Sequence, residues 1–239
     1  MLPIIEAPSY EITLPVSKKT IKFRPFLVKE QKILLMAMES KEDDVTENNV
    51  KQVLQNCTLS DIDVNSLPLV DIEYYFLNLR ARSVGEVVET RYKCENDVGG
   101  KPCGNVMETS FNVLDVEVEL PENTEETIEI TPDVGVKMKY PSFSVVDKLK
   151  GLDAATDMAF ELILECVDYV YDKDNFYYAH ETPKEELMAF IESLTNEQFL
   201  KLEKFVENLP KIHKNIEIVC SKCGFVHNIE VQGLNNFFS

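Results

Sequence analysis

An α+β fold built from a duplicated unit is expected from three features of this chain. Short alternating strand pairs open and close each half, apolar residues at helical spacing fill the middle, and two cysteine pairs sit at the tips of the closing hairpins. The order hairpin, helices, cysteine hairpin occurs twice, over residues 1–120 and 121–239. A unit of roughly 120 residues is an ordinary size for one small domain.

The first half opens with Tyr10-Glu11-Ile12-Thr13-Leu14-Pro15, a short turn, then Ile21-Lys22-Phe23-Arg24-Pro25-Phe26. Alternation closed by proline predicts a hairpin. Helical spacing follows in three segments: Ile33, Leu34, Met36 and Ala37; Val50, Val53, Leu54 and Cys57; Leu69, Ile72, Tyr75, Phe76 and Leu79. Gly85 after Arg80 and Arg82 predicts a helix end with basic residues on its last turn. Those two arginines are also candidate partner contacts, because Arg is common in interfaces. The half ends in a hairpin from Val87 to Cys94, turned at Gly99-Gly100, returning through Cys103 to Val113.

Residues 117–133 join the halves. They carry six glutamates and two prolines, as a solvated linker and strand would. The second half repeats the plan with Ile128-Glu129-Ile130-Thr131, a turn at Asp133 to Gly135, and Val136-Lys137-Met138-Lys139-Tyr140. Apolar stripes then predict helices through Ala159, Leu162, Ile163, Cys166 and Val170, through Leu187, Phe190, Ile191 and Leu194, and through Phe199, Leu202, Phe205, Val206 and Leu209. Thr182-Pro183 and Thr195-Asn196-Glu197-Gln198 read as helix starts. The closing hairpin runs from Asn215 to Val231 and carries Cys220 and Cys223.

Cys220-Ser221-Lys222-Cys223-Gly224 is a tight turn that points two thiols at one spot, and its glycine is expected to relieve crowding. Cys94 and Cys103-Gly104 repeat the theme with eight intervening residues. Two such zinc-ribbon-like knuckles brought together would make a tetrahedral four-sulfur site on Cys94, Cys103, Cys220 and Cys223, the usual environment of structural zinc. A metal with all four positions taken by protein leaves no place for substrate, so the expected role is not enzymatic. The plain alternative is two pairs of reduced cysteines packed at hairpin ends. A redox pair is disfavoured because such pairs usually open a helix. His227 is an alternative ligand to one cysteine. Cys57 and Cys166 fall on apolar helix faces and read as core. His180 and His213 have no acid or nucleophile partner in sequence, and no phosphate loop, nucleophile elbow or metalloprotease motif is present.

The net charge of −18 would repel nucleic acid and anionic membranes. No apolar run reaches the ~20 residues of a membrane helix. The opening Met1-Leu2-Pro3-Ile4-Ile5-Glu6 does not have the pattern of a secretion signal, and six cysteines without one suggest a reducing compartment. The tail residues Phe237 and Phe238 are apolar on an acidic chain and either dock into a neighbour, as candidate partner contacts, or fold back onto the core.

Several blocks are similar to the baseplate hub and hub assembly proteins of T-even-like bacteriophages. They are the opening Tyr10 to Pro15, Phe23-Arg24-Pro25-Phe26-Leu27-Val28-Lys29-Glu30, Ile33 to Ser40, Leu67 to Phe76, Arg82-Ser83-Val84-Gly85-Glu86 and the C-terminal cysteine hairpin. The resemblance implies a non-enzymatic protein that binds hub or tape-measure proteins while a contractile tail is built in the host cytoplasm. A permanent subunit of the virion baseplate is the alternative, and a tail-associated hydrolase a weaker one. The resemblance supplies no catalytic residues, and neither it nor the residues fix an oligomeric state.

Overall fold

A computed structural model describes residues 5–40, 43–121, 126–149, 152 and 154–232. In chain order the elements are β1 (Tyr10–Thr13), β2 (Thr20–Phe23), α1 (Val28–Ser40), α2 (Asp43–Cys57), a short 3-10 turn (Val64–Ser66), α3 (Leu69–Val84), β3 (Val87–Lys93), β4 (Val106–Asn112) and β5 (Glu117–Glu119). Then come β6 (Thr127–Thr131), β7 (Val134–Met138), α4 (Ser144–Leu149), α5 (Ala155–Cys166), β8 (Val167–Tyr171), β9 (Phe176–Tyr178), α6 (Lys184–Glu192), α7 (Asn196–Glu207), β10 (Lys211–Val219) and β11 (Val226–Gln232). The mixture of helices and small antiparallel sheets is α+β, as expected. Among the described residues no helix is long and apolar enough to cross a membrane. Phe237 and Phe238 lie outside the described residues, as do Glu122 and Glu125 of the predicted linker.

The chain divides into two compact units. Unit 1 spans Met1–Val64, Val70–Glu119 and Lys211–Ser239, and unit 2 spans Asn65–Leu69 and Leu120–Pro210.

In unit 1, β1 and β2 pair antiparallel with Tyr10 opposite Phe23. Their connecting turn is latched by a fully buried carboxylate: Asp71 accepts the backbone N–H groups of Val16 and Ser17, both at 2.8 Å. A second buried carboxylate, Glu30, accepts from Arg24 at 3.1 Å and from the Leu27 N–H at 2.9 Å, which ties the strand exit to the first turn of α1. Such groups are tolerated inside because each is paired or hydrogen-bonded. The α3 stripe Val70, Leu77 and Ala81 packs on Val88, Phe111, Val113 and Ile212. Hairpin β3–β4 runs in register from Val87 opposite Asn112 to Lys93 opposite Val106. Hairpin β10–β11 runs from His213 opposite Gln232 to Val219 opposite Val226, and β5 adds a third strand beside β10. Alternation puts Val88, Met107 and Phe111 on one face of the first hairpin and Ile216, Ile218, Ile229 and Val231 on one face of the second, while Val87, Val106, Val219 and Val226 at the strand ends are exposed.

Unit 2 is a four-stranded antiparallel sheet in the order β6-β7-β8-β9. Its inner face contributes Ile128, Ile130, Val136, Met138 and Val170 to a core shared with α5, α6 and α7. Lys184 of α6 donates to both oxygens of the largely buried Glu161 on α5, at 2.7 and 2.6 Å. The helix start expected at Thr195 is present, and the structure shows it as a capping box that Gln198 completes.

Two local expectations differ from the structure. The stripe through Val170 breaks at Cys166, where α5 ends and β8 begins. The run Val167-Asp168-Tyr169-Val170-Tyr171 is β-branched and aromatic, which suits a strand, and the i, i+4 spacing to Val170 is accidental. At the α6 start Pro183 rather than Thr182 is the cap residue, and the Thr182 hydroxyl instead donates to the Tyr178 carbonyl at 2.9 Å.

Candidate metal centre

The two cysteine tips share one backbone frame. At the β10–β11 tip the Cys220 N–H donates to the Phe225 carbonyl and the Gly224 N–H to the Cys220 carbonyl, both at 2.8 Å. At the β3–β4 tip the Cys94 N–H donates to the Asn105 carbonyl at 2.8 Å and the Gly104 N–H to the Cys94 carbonyl at 2.9 Å. Cys103-Gly104 therefore stands where Cys223-Gly224 stands, although eight residues rather than two follow the first cysteine. The surplus is zipped into a small side hairpin. There the Cys103 N–H donates to Asn96 and the Val98 N–H to Lys101, each at 2.8 Å, with Gly99 and Gly100 at the turn. Gly104 and Gly224 have φ of 67° and 73°, the left-handed region that glycine enters without strain. Crowding is not the reason for them: a Cβ on Gly224 would meet nothing within 4 Å.

The four predicted cysteines converge. Cys94 Sγ lies 3.7 Å from Cys223 Sγ, and Cys103 Sγ lies 3.8 Å from Cys220 Sγ. All four sulfurs lie within 4.8 Å of one another. Metal–sulfur bonds of about 2.3 Å in a tetrahedron require sulfur–sulfur edges of about 3.8 Å. The arrangement is thus compatible with one four-coordinate metal ion. Cys94, Cys103 and Cys220 are buried, Cys223 is half-buried, and Met107 and Ile218 pack around the sulfurs.

Each tip also places side-chain nitrogens beside sulfur, the two asparagine amides as N–H donors. His227 Nε2 lies 3.2 Å from Cys94 Sγ, Asn105 Nδ2 3.5 Å from Cys220 Sγ, and Asn96 Nδ2 3.7 Å from Cys223 Sγ. The His227 ring rests against Tyr92 and Phe225, with centroids at 5.4 and 4.8 Å. It belongs to the surroundings of the cluster, outside the four-sulfur group itself. The thiols differ in acidity. The backbone N–H of Cys223, then that of Lys222, holds Cys220 down at about 6 against desolvation. Burial pushes Cys94 up to about 12, with the neighbouring thiols adding to it. One sulfur is thus disposed to be thiolate at neutral pH, and a dication would replace the protons on the others.

The remaining singled-out residues lie apart from this cluster. Cys57 and Cys166 are buried in the packing of α2 and α5, where burial raises their thiols to about 11 and about 12. Arg80 donates to the Gly85 carbonyl at 3.1 Å, closing the end of α3. Arg82 is exposed, pairs with Glu86 at 3.4 Å and lies over the Tyr10 ring at 5.2 Å. His180 and His213 face Glu181 and Glu117 at 3.5 and 3.7 Å. The donors Asn96 and Asn105 were not singled out from sequence; their place beside a cysteine in a turn was the available signal.

The family described as T4 bacteriophage base plate protein matches residues 7–239, nearly the whole chain. The chain belongs to this family. The resemblance in the strand and helix blocks of the first half is therefore one of kinship, and the cysteine tips lie within the matched span. Membership supports a structural role in a phage tail baseplate and partners among phage proteins. Neither a curated protein nor a solved structure matches the chain.

Proposed function

We propose that this baseplate protein is a non-enzymatic component or helper of the hub. In this reading it binds hub or tape-measure proteins while the contractile tail is assembled in the host cytoplasm. The observation that carries the proposal is the family match over residues 7–239. The acidic chain suits a basic partner, and Arg80, Arg82, Phe237 and Phe238 are the proposed contact residues. Zinc at Cys94, Cys103, Cys220 and Cys223 acts as a staple between two hairpins that are distant in sequence. Four protein sulfurs leave such an ion no open position for substrate. The two halves, 1–120 and 121–239, are proposed copies of one ancestral unit, since each opens with a hairpin, continues in helices and closes with a cysteine hairpin, the second with β8–β9 interposed between α5 and α6.

Affinity purification of the tagged chain from infected cells, read by mass spectrometry, is the test. Recovery of hub or tape-measure proteins supports the reading, and recovery of none overturns it. A permanent place in the virion is favoured by the family's description as a base plate protein. Mass spectrometry of purified particles separates the two roles, because a transient helper is absent from the finished tail.

A further inference from the structure

The outer face of the unit 2 sheet is aromatic and, among the described residues, half-buried to exposed. Alternation sends Val170 into the core and Tyr169 and Tyr171 to the opposite face, and a bulge where the β7–β8 register shifts between Lys137 and Met138 turns Val167 back into the core. On β9, Phe176 lies opposite Tyr171 and Tyr178 opposite Tyr169, which completes a two-by-two array of rings. Tyr169 meets Phe176 and Tyr178 edge to face with centroids at 5.4 Å in both pairs, and Tyr171 lies 6.4 Å from Phe176. The floor is fitted to the array. A Cβ on Gly135 of β7 would fall 2.2 Å from the Tyr171 hydroxyl, so the Tyr171 ring lies directly on the glycine. The rings hold one another, yet Phe176 is 61% and Tyr178 41% exposed.

Acidic charges outnumber basic ones around the array. Asp168, Asp172, Asp174 and Glu181 interleave with the rings in sequence. The nearby lysines are already engaged: Lys137 with Glu126 at 2.8 Å, Lys173 with Asp133 at 2.8 Å, and Lys139 with Asp168 at 3.5 Å. Asp174 has no cation partner among the described residues. Across unit 2 acidic residues outnumber basic ones more than twofold. Rigid aromatic rings lose little entropy on docking and dominate interface energetics. Ring faces attract cations, guanidinium above all, and the acidic surround adds to that attraction. The same field opposes a nucleic acid and a second copy of this acidic chain.

We propose that the Tyr169–Tyr171–Phe176–Tyr178 face of unit 2 docks an arginine-bearing, cationic segment of a partner protein. The site rests on the assembly reading only for the partner being a tail protein. Arg82 over Tyr10 in unit 1 shows the same chemistry within this chain.

The test is fluorescence anisotropy with labelled nona-arginine and nona-lysine peptides. The proteins are the full chain and the variant Phe176→Ser with Tyr178→Ser, whose exposed positions leave the core intact; matching circular dichroism melts verify this. Expected are tighter binding of the arginine probe than the lysine probe and a loss of roughly tenfold or more in the variant. Equal binding by chain and variant, or no preference for arginine, overturns the proposal. So does sedimentation showing that the chain dimerises and the variant does not, which would make the face a self-interface. Purification from infected cells with both proteins separates the two levels. Tail proteins recovered equally well by the variant sink this face and leave the assembly reading standing; none recovered by either sinks the assembly reading.

Discussion

Removing the metal should loosen unit 1 by an amount set by the length of chain that the cluster closes. Cys103 and Cys220 lie 117 residues apart in sequence, and their sulfurs lie 3.8 Å apart in space. Treated as a cross-link, closure of such a loop lowers the entropy of the unfolded chain by the equivalent of about 5 kcal/mol. That approaches the whole stability of an ordinary domain, roughly 5–15 kcal/mol. At about 2–4 °C per kcal/mol for a chain of this size, stripping the ion should lower the melting temperature by roughly 10–20 °C. The assay is elemental analysis of the purified protein followed by calorimetry with and without a strong chelator, alongside Cys220→Ser. Expected are one zinc per chain, a large downward shift with chelator, and a Cys220→Ser protein that resembles the stripped wild type. Cobalt substitution should add the intense sulfur-to-metal charge-transfer absorption of a tetrathiolate. A protein that carries no metal and melts at the same temperature with chelator would refute the reasoning, since the four thiols would then be packing alone.

Three further outcomes follow from the same geometry. His227→Phe keeps a ring between Tyr92 and Phe225 but removes the ring nitrogen that faces Cys94, which would donate to its thiolate in a metal-bound cluster; metal affinity measured by chelator competition should fall about 10–100-fold. His227→Gln, which can restore an N–H, should recover part of it, and unchanged affinity in both variants would deny the hydrogen bond a role. Burial raises the Glu73 carboxyl to about 7, from 4.5 when exposed, so the fold favours its protonated form. The penalty is absent below the unfolded value, grows as pH rises towards the folded one, and is complete above it, at most about 3 kcal/mol. Glu73→Gln should therefore melt with wild type at about pH 4 and above it at about pH 8; a gap that does not widen with pH would contradict this. Asp71→Ala leaves the amides of Val16 and Ser17 without their acceptor and should cost about 1.5–3 kcal/mol or more in urea unfolding, whereas an unchanged midpoint would show the latch to be idle.

Much of this architecture was legible in the chain because its signals were local. The β1–β2 hairpin, the α3 stripe from Leu69 to Leu79 and the helix start at Thr195 each declare themselves within a few residues. The β8–β9 hairpin did not, because Val170 falls one helical turn beyond Cys166 and extends the α5 stripe by coincidence. The sheet face of Tyr169, Tyr171, Phe176 and Tyr178 was hidden for the same reason, since the array exists only once both segments are strands. Of the candidate metal centre, the four cysteines and the pairing of tips were readable. The equivalence of the tips was not: spacings of eight and two residues look unrelated until the bonds of Gly104 to Cys94 and Gly224 to Cys220 are seen to match.

That equivalence bears on how the site stays assembled. A turn of two residues between cysteines is fixed by its own hydrogen bonds, so Cys220 and Cys223 are placed almost independently of the rest of the chain. A turn of eight is not, and the entropy of its extra residues opposes closure. The side hairpin offsets this with its own backbone bonds, with the Gly100 N–H donating to Asp97 at 2.7 Å, and with left-handed glycines at positions 99 and 100. Asn96 then does two things: its carbonyl receives the Cys103 N–H, and its side-chain amide reaches the sulfur of Cys223 on the other tip. The longer tip is therefore held in shape by its own backbone and Asp97 bonds, which do not depend on an ion. An ion bound by the four sulfurs would lock an arrangement that the backbone bonds of both tips support, which is the behaviour expected of a staple.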